Sequence, residues 1–431
     1  MCARDFDFDT IEKAELEQIQ LERLQATINR AYRSVSYYRQ RFDELGIVLQ
    51  GIDSLEGLQQ LPFTNHETLL ASYPYGMFAV PLREVVRLHC SSAPTGEPLV
   101  IGYTKNDVEH WTRASARVLQ AAGAHPEDVV QICLDYGLYG AGLGFHYGAE
   151  RIGASAIPAS DVDALRQLLI MRDYRSTILL STPSFALKLV ATLLESNIDL
   201  ASLHLRCGVL TGEPLTETAK TKIGEAFGIH VVSCYAPYQI PGPPVAVGCH
   251  DARGLRVFED QCIVEVLDPG SGELMAPGQE GELVVTTLSS EAFPLIRYRT
   301  GDLSTVIEDS CGCGDNRRCI MPVRGRTDEL VMVNDIRFYP TQIGAIVAGV
   351  EGVHPRFQLI IDQEEARDVV DVLVGVSGTM LSDEMRKFSD LKHRIETQVY
   401  EVLGLQVRVK LLESSTFEQQ GQMSTLVDRR R

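Results

Sequence analysis

The chain has 431 residues, of which 45% are hydrophobic and 23% charged, with a formal net charge of −18. That is enough apolar material for two or three domains. The acidic balance excludes a nucleic-acid partner, which needs a basic face, and no apolar run reaches the length of a membrane span.

The first ten residues, MCARDFDFDT, are acidic and lack an apolar core. No secretory signal is expected there, so the expected location is cytoplasmic with reduced thiols. From Ile11 to Leu45, Leu, Ile, Ala and Tyr recur at helical spacing, which predicts one or two amphipathic helices. The stretch CSSAPTGEPLV, Cys90 to Val100, places Ser91, Ser92, Thr95 and Gly96 between apolar runs. Such a loop can turn several N–H groups toward an anion, although short loops of this composition are also plain turns.

Between Val86 and Val285, β-rich runs alternate with helical ones. VVQICLDY, ASAIPAS, STILLSTP, LRCGVLTG and HVVSCYA are separated by VEHWTRASARVLQAAG, DALRQLLIMRDY and PSFALKLVATLLESN. Alternation of this kind predicts βα units and a mainly parallel sheet, with a ligand at the carboxyl ends of the strands. LRVFEDQCIVEVLDPGSGELMAPGQEGELVVTTL then reads as antiparallel hairpins turning at DPGSGE and PGQEGE. After Arg326 the strand-like runs ELVMVNDIRFYP, RFQLIID, VVDVLVGV and QVRVKLLE combine with helical patterns at 340–348 and about 382–402. This predicts a small α+β unit, hence a large domain over 1–326 and a small one over 327–431.

Several long motifs resemble the phenylacetate–CoA ligase family of adenylate-forming enzymes. They include YPYGMFAVP, SSAPTGEP, YGLYGAGLGFHYGAERIGASAIPAS, TGEPLTE, FPLIRYRTGDL, GRTDEL and FYPTQI, spread over nearly the whole chain. The resemblance implies an α/β adenylate-forming fold with a large multi-sheet N-terminal domain and a mobile C-terminal lid. In that family ATP and a carboxylate give an acyl-adenylate, and CoA thiol then takes the acyl group. By matching position, Asp302 would hold the ribose hydroxyls, Arg326 would lie beside the nucleotide and Asp328 would mark the hinge. Gly212, Glu213 and Pro214 would line the adenine pocket, with Tyr235 below it. Tyr136, Phe145 and His146 would shape the acyl wall, where core packing is the alternative for Tyr136 and Phe145. His146 stands either as a base or oxyanion donor or as a core histidine.

The chain also departs from the family's pattern. The loop carries Ala93, Pro94 and Glu97 where the family has Gly, Thr and Lys, and Pro94 removes an N–H donor. A carboxylate ~4 Å from a phosphate oxygen costs on the order of 4 kcal/mol at an effective dielectric of about 20. Gln239 replaces the glutamate that helps hold magnesium, Asp335 replaces a glycine, and Gln422 stands at the adenylation lysine. Losing such a donor typically costs about 10²–10³ in rate.

These changes group on the ATP side, so the sequence alone favours an enzyme that has lost adenylation. It would pass an acyl or aryl group from a CoA thioester to another thiol, such as a carrier-protein phosphopantetheine, with ATP and magnesium in doubt. The alternatives are an ATP-dependent aryl-CoA ligase and a non-catalytic scaffold. The expected partners are a small acyl or aryl thioester and an acyl carrier protein, and the resemblance suggests a homodimer. Finally, Cys249, His250, Cys311, Cys313 and Cys319 lie in two short segments. They could hold a structural zinc like that of some relatives, or stand as surface thiols; Arg256 replaces one ligand of the family's pattern.

Overall fold

The computed structural model describes residues 11–91, 99–138, 140–160, 162–196, 198–213, 215, 217–242, 244–248, 254–307, 317–327, 331–334, 336–338, 340–348, 350, 353–364, 367–376, 385–413 and 426–430. The N-terminal apolar periodicity becomes two helices, α1 (Lys13–Ser34) and α2 (Ser36–Glu44), separated where Val35 adopts an extended conformation. Their buried stripe of Leu24, Ile28, Tyr38 and Phe42 joins the largest core. The short α3 (His66–Ala71) follows, capped by the Asn65 side chain, which accepts from Thr68 N.

A hairpin of β1 (Arg87–Ser91) and β2 (Leu99–Tyr103) precedes the βα region, and the sequence reading did not anticipate it. The helix α4 (Lys105–Ala121) starts at a capping box in which Thr104 and Asp107 satisfy each other's backbone N–H. There follow β3 (Val129–Cys133), α5 (Ala141–Ile152), β4 (Ser155–Pro158), α6 (Ala164–Asp173), β5 (Ile178–Ser181), α7 (Pro183–Glu195), β6 (Cys207–Thr211), α8 (Glu217–Phe227) and β7 (His230–Tyr235). All five runs expected as strands here are strands. They pair in parallel in the order β4-β3-β5-β6-β7, with apolar clusters on both faces.

From β7 the sheet continues antiparallel through β8 (Ala246–Gly248), β9 (Leu255–Val257), β10 (Cys262–Leu267), β11 (Glu280–Thr287), β12 (Tyr298–Ile307), β13 (Cys319–Ile320) and β14 (Gly325–Arg326). The spatial order is β10-β11-β12-β13-β9-β8-β7, with β14 also on β12. Of the hairpins predicted with turns at DPGSGE and PGQEGE, β10 pairs with β11 across residues 268–279, a connection that holds DPGSGE and the start of PGQEGE. The short strands β8, β13 and β14 were not legible, because two or three residues carry no period.

Contacts among Cα atoms divide the chain into two compact units, one closing at Thr327 and the other comprising residues from Asp328 onward. The second unit has the hairpin β15 (Val331–Val333) and β16 (Ile336–Phe338), then α9 (Pro340–Ala348), β17 (Val353–Glu364), β18 (Arg367–Val376), α10 (Met385–Leu403), β19 (Arg408–Glu413) and β20 (Leu426–Asp428). Its sheet runs β19-β18-β17-β20 around its own core. The whole is an α/β fold with a large multi-strand sheet and a smaller C-terminal α/β unit. Among the described residues no helix is long and apolar enough to cross a membrane.

Candidate active site

The carboxyl ends of β3, β6 and β7 open into a cleft of about 540 Å³, counted with its mouth. Leu134 follows β3, Thr211 ends β6 with Gly212 just after it, and Ala236 to Tyr238 follow β7. This is where a parallel sheet leaves room between its loops. Trp111 of α4, Phe145 of α5 and Tyr103 of β2 complete the aromatic wall. Tyr103 and Trp111 stack with centroids 5.2 Å apart, and His89 packs edge-on against both.

The glycine-rich run before and inside α5 explains how that wall closes. Gly140 adopts φ +62° to start the helix, and any Cβ there would overlap the His89 ring. A Cβ on Gly144 would overlap the Trp111 indole. The glycines therefore let α5 lie directly against the aromatic cluster. On the other side, Asp107 accepts from Glu291 N (2.6 Å) and Ala292 N (3.0 Å), which ties α4 to the loop leading into β12.

Beside the cleft stands a polar cluster built by RYRTGD. Arg297 makes a buried bidentate pair with Glu265 (3.0 and 2.9 Å) and donates to the carbonyls of Gln59 and Leu61. Arg299 is held by Glu282. These arginines fix β12 and carry no free charge into the site. Thr300 Oγ1 donates to Leu283 O (2.8 Å) and accepts from Asp302 N (3.1 Å). Pairing of β12 with β14 sets Asp302 opposite Arg326. Arg326 donates to Asp302 Oδ1 and the Tyr235 hydroxyl to Oδ2, both at 2.6 Å. Burial, with the Asp302 carboxylate next to it, holds the Tyr235 phenol well above its ordinary pKa, so it remains a donor.

Gly212 lines the cleft at φ +83°. Glu213 accepts from Ser184 N (2.8 Å) and Ser184 Oγ (2.7 Å), so its charge anchors the first turn of α7, where a helix favours an anion. Gln239 is buried in the loop after β7. Phe145 is in the cleft wall, whereas Tyr136 and His146 are not among the lining residues. His146 Nδ1 faces the Tyr136 hydroxyl (3.2 Å) and Nε2 faces Glu150 (3.2 Å). Ser91 ends β1. Ser92, Thr95, Gly96, Pro214, Cys249, His250, Cys311, Cys313, Asp328 and Gln422 lie outside the described residues. Cys319 is buried in β13 with its thiol 3.6 Å from Arg317 O. Among the described residues no three His, Cys, Asp or Glu side chains gather as a metal site. Sequence reasoning missed Tyr103, Trp111 and Ile240 as cleft residues. The one available signal was that Trp111 is the chain's single tryptophan.

Residues 335–430 match the model of the AMP-binding enzyme C-terminal domain. The chain is 36% identical over 419 residues to a phenylacetate-coenzyme A ligase of Thermus thermophilus, covering 94% of each. It is 37% identical to a phenylacetate-coenzyme A ligase of Pseudomonas putida over 96% of this chain and 94% of that one. Among solved structures, a 2-hydroxyisobutyryl-CoA ligase in complex with 2-HIB-AMP and CoA is similar at TM-score 0.90 and 25% identity, over 97% of this chain and 91% of that chain. The amide bond synthetase McbA from Marinactinospora thermotolerans is similar in fold alone, at TM-score 0.57 and 16% identity over 77% and 66% of the two chains.

Proposed function

The chain belongs to the phenylacetate–CoA ligase family of adenylate-forming enzymes, and from that premise we propose that it joins an aryl carboxylic acid to CoA in an ATP-driven reaction. The observation that carries this reading is the aromatic cleft at the strand ends with the Tyr235–Asp302–Arg326 cluster beside it. The acid's ring occupies the cleft. Its carboxylate attacks the α-phosphorus of ATP and pyrophosphate leaves. The CoA thiol then attacks the acyl carbonyl, loses its proton and expels AMP. By its place in RTGD, Asp302 would accept the two ribose hydroxyls through its carboxylate oxygens, each of which has two lone pairs. Tyr235 and Arg326 hold that carboxylate oriented before the nucleotide arrives.

This reverses the ranking that the sequence alone favours, because full-length similarity to CoA ligases supports ligation better than thioester exchange. Exchange onto a carrier thiol keeps one specific support: Glu97, Gln239 and Gln422 weaken the triphosphate, magnesium and adenylation positions together. The neutral Gln239 oxygen is a weaker ligand for a hard cation than a carboxylate.

The two readings separate in one assay. The protein is incubated with ATP, magnesium, CoA and a panel of aryl acids, and AMP and acyl-CoA are read by mass spectrometry. Ligation predicts equal amounts of both. Acyl movement from acyl-CoA to a carrier thiol without ATP, with no AMP from any acid, would remove the ligase reading.

A further inference from the structure

Side chains in paired parallel strands point to the same face, and alternate residues share it. On β6, Cys207, Val209 and Thr211 therefore form one stripe. On β7 the matching residues are Val232 and Cys234, in register with Val209 and Thr211. Cys207, Val209, Val232 and Cys234 all sit in one apolar cluster with Phe145. At the end of the stripe, where the same face reaches the cleft, the sequence places a hydroxyl instead of another apolar group.

Thr211 is 4% exposed and lines the cleft, and among the described residues its Oγ1 has no oxygen or nitrogen partner. Its neighbour across the register is the Cys234 thiol, a weak partner at best. Tyr235, the next residue on β7, points to the opposite face, where its hydroxyl meets Asp302. So Thr211 lies on the sheet face away from the ribose-side cluster and lines the cleft together with Phe145. Among the described residues no ionisable acid or base other than tyrosine lines that cleft. A charged ring substituent would be buried without a counter-ion, whereas a neutral hydroxyl would not.

We infer that Thr211 is a specificity-determining residue, and that the cleft takes an aryl acid bearing a ring hydroxyl, which exchanges a hydrogen bond with Thr211 Oγ1. This rests on the aryl-acid reading of the cleft. A buried hydroxyl left alone is costly, and a site built to pair with a substrate hydroxyl discriminates against the analogue that lacks it.

The test measures binding of phenylacetate and its 2-, 3- and 4-hydroxy isomers by calorimetry, with Trp111 emission as a second readout from inside the cleft. At least one hydroxy isomer is expected to bind the wild-type protein about tenfold more tightly than the unsubstituted acid. Thr211→Val, nearly the same shape, should abolish the preference among the isomers. Thr211→Ser should keep the preference, and it serves if the valine variant folds poorly. Equal binding of all isomers to the wild-type protein overturns the inference. So does a Thr211→Val variant that loses affinity for every acid alike, which would assign the hydroxyl to the carboxylate. If no aryl acid binds at all, the functional reading itself fails, a result distinct from the absence of an isomer preference.

Discussion

Replacing Gly144 with alanine sets two effects of opposite sign against each other. Within a helix, Gly→Ala stabilises by about 0.8–1.0 kcal/mol through backbone entropy. At Gly144, in the first turns of α5, the added methyl would overlap Trp111 Nε1 and its neighbouring ring atoms. The indole cannot retreat, because Tyr103 stacks on one side and His89 abuts it 5.7 Å away. Overpacking of a rigid group typically costs about 1–3 kcal/mol, and a wedged aromatic belongs at the upper end. The net expectation is a loss of about 2 kcal/mol after the propensity gain. What displacement does occur must carry Trp111 toward the cleft that it lines, so aryl-acid affinity should fall as well. Urea unfolding followed by the single tryptophan reads both stability and ring environment. Gly51→Ala is the control, since its Cβ would meet nothing within 4 Å. A Gly144→Ala protein that is about 1 kcal/mol more stable than wild type, with unchanged emission, would refute the close-approach argument.

Arg297→Met leaves Glu265 buried without its bidentate partner and should cost about 3–5 kcal/mol in urea unfolding. Tyr235→Phe removes a donor to a charged acceptor; nucleotide binding should weaken by about tenfold or more while aryl-acid affinity stays unchanged, as titration calorimetry with AMP and with the acid would show. Burial pushes the Asp128 carboxyl up, but bonds from Arg206, Thr177 Oγ1 and His125 N together hold it below its ordinary value. Its stabilising contribution is thus present above the unfolded carboxylate pKa of about 3.9 and lost as pH falls through the lower folded value. Asp128→Asn should flatten the acid limb of the stability–pH curve below about pH 4, and an unchanged limb would show that Asp128 does not shape it.

The βα alternation was readable because each strand from β3 to β7 is a short apolar run and each helix has its own periodicity. The parallel order, and hence the position of the cleft, follows from that pattern. The antiparallel pieces β8, β13 and β14 are too short to carry a period, and the sheet they complete depends on long-range pairing. At the site, RTGD pointed to Asp302, but its pairing with Arg326 is a property of β12–β14 register. That both Glu213 oxygens meet Ser184 at the start of α7 is a long-range contact with no local mark in TGEP. Trp111 looked like any helix residue, since nothing local says that Gly144 lies against it. The cleft wall is made by residues far apart in sequence, and side chains meeting across three elements leave no trace along the chain.

Under the proposed function this chain still activates an aromatic acid with ATP despite Glu97, Gln239 and Gln422. Acid-dependent exchange of labelled pyrophosphate into ATP measures that step alone, without CoA. A ligase should show exchange that requires an aryl acid and falls sharply in Asp302→Asn. No exchange with any aromatic acid, in a protein that binds the same acids in its cleft, would contradict it.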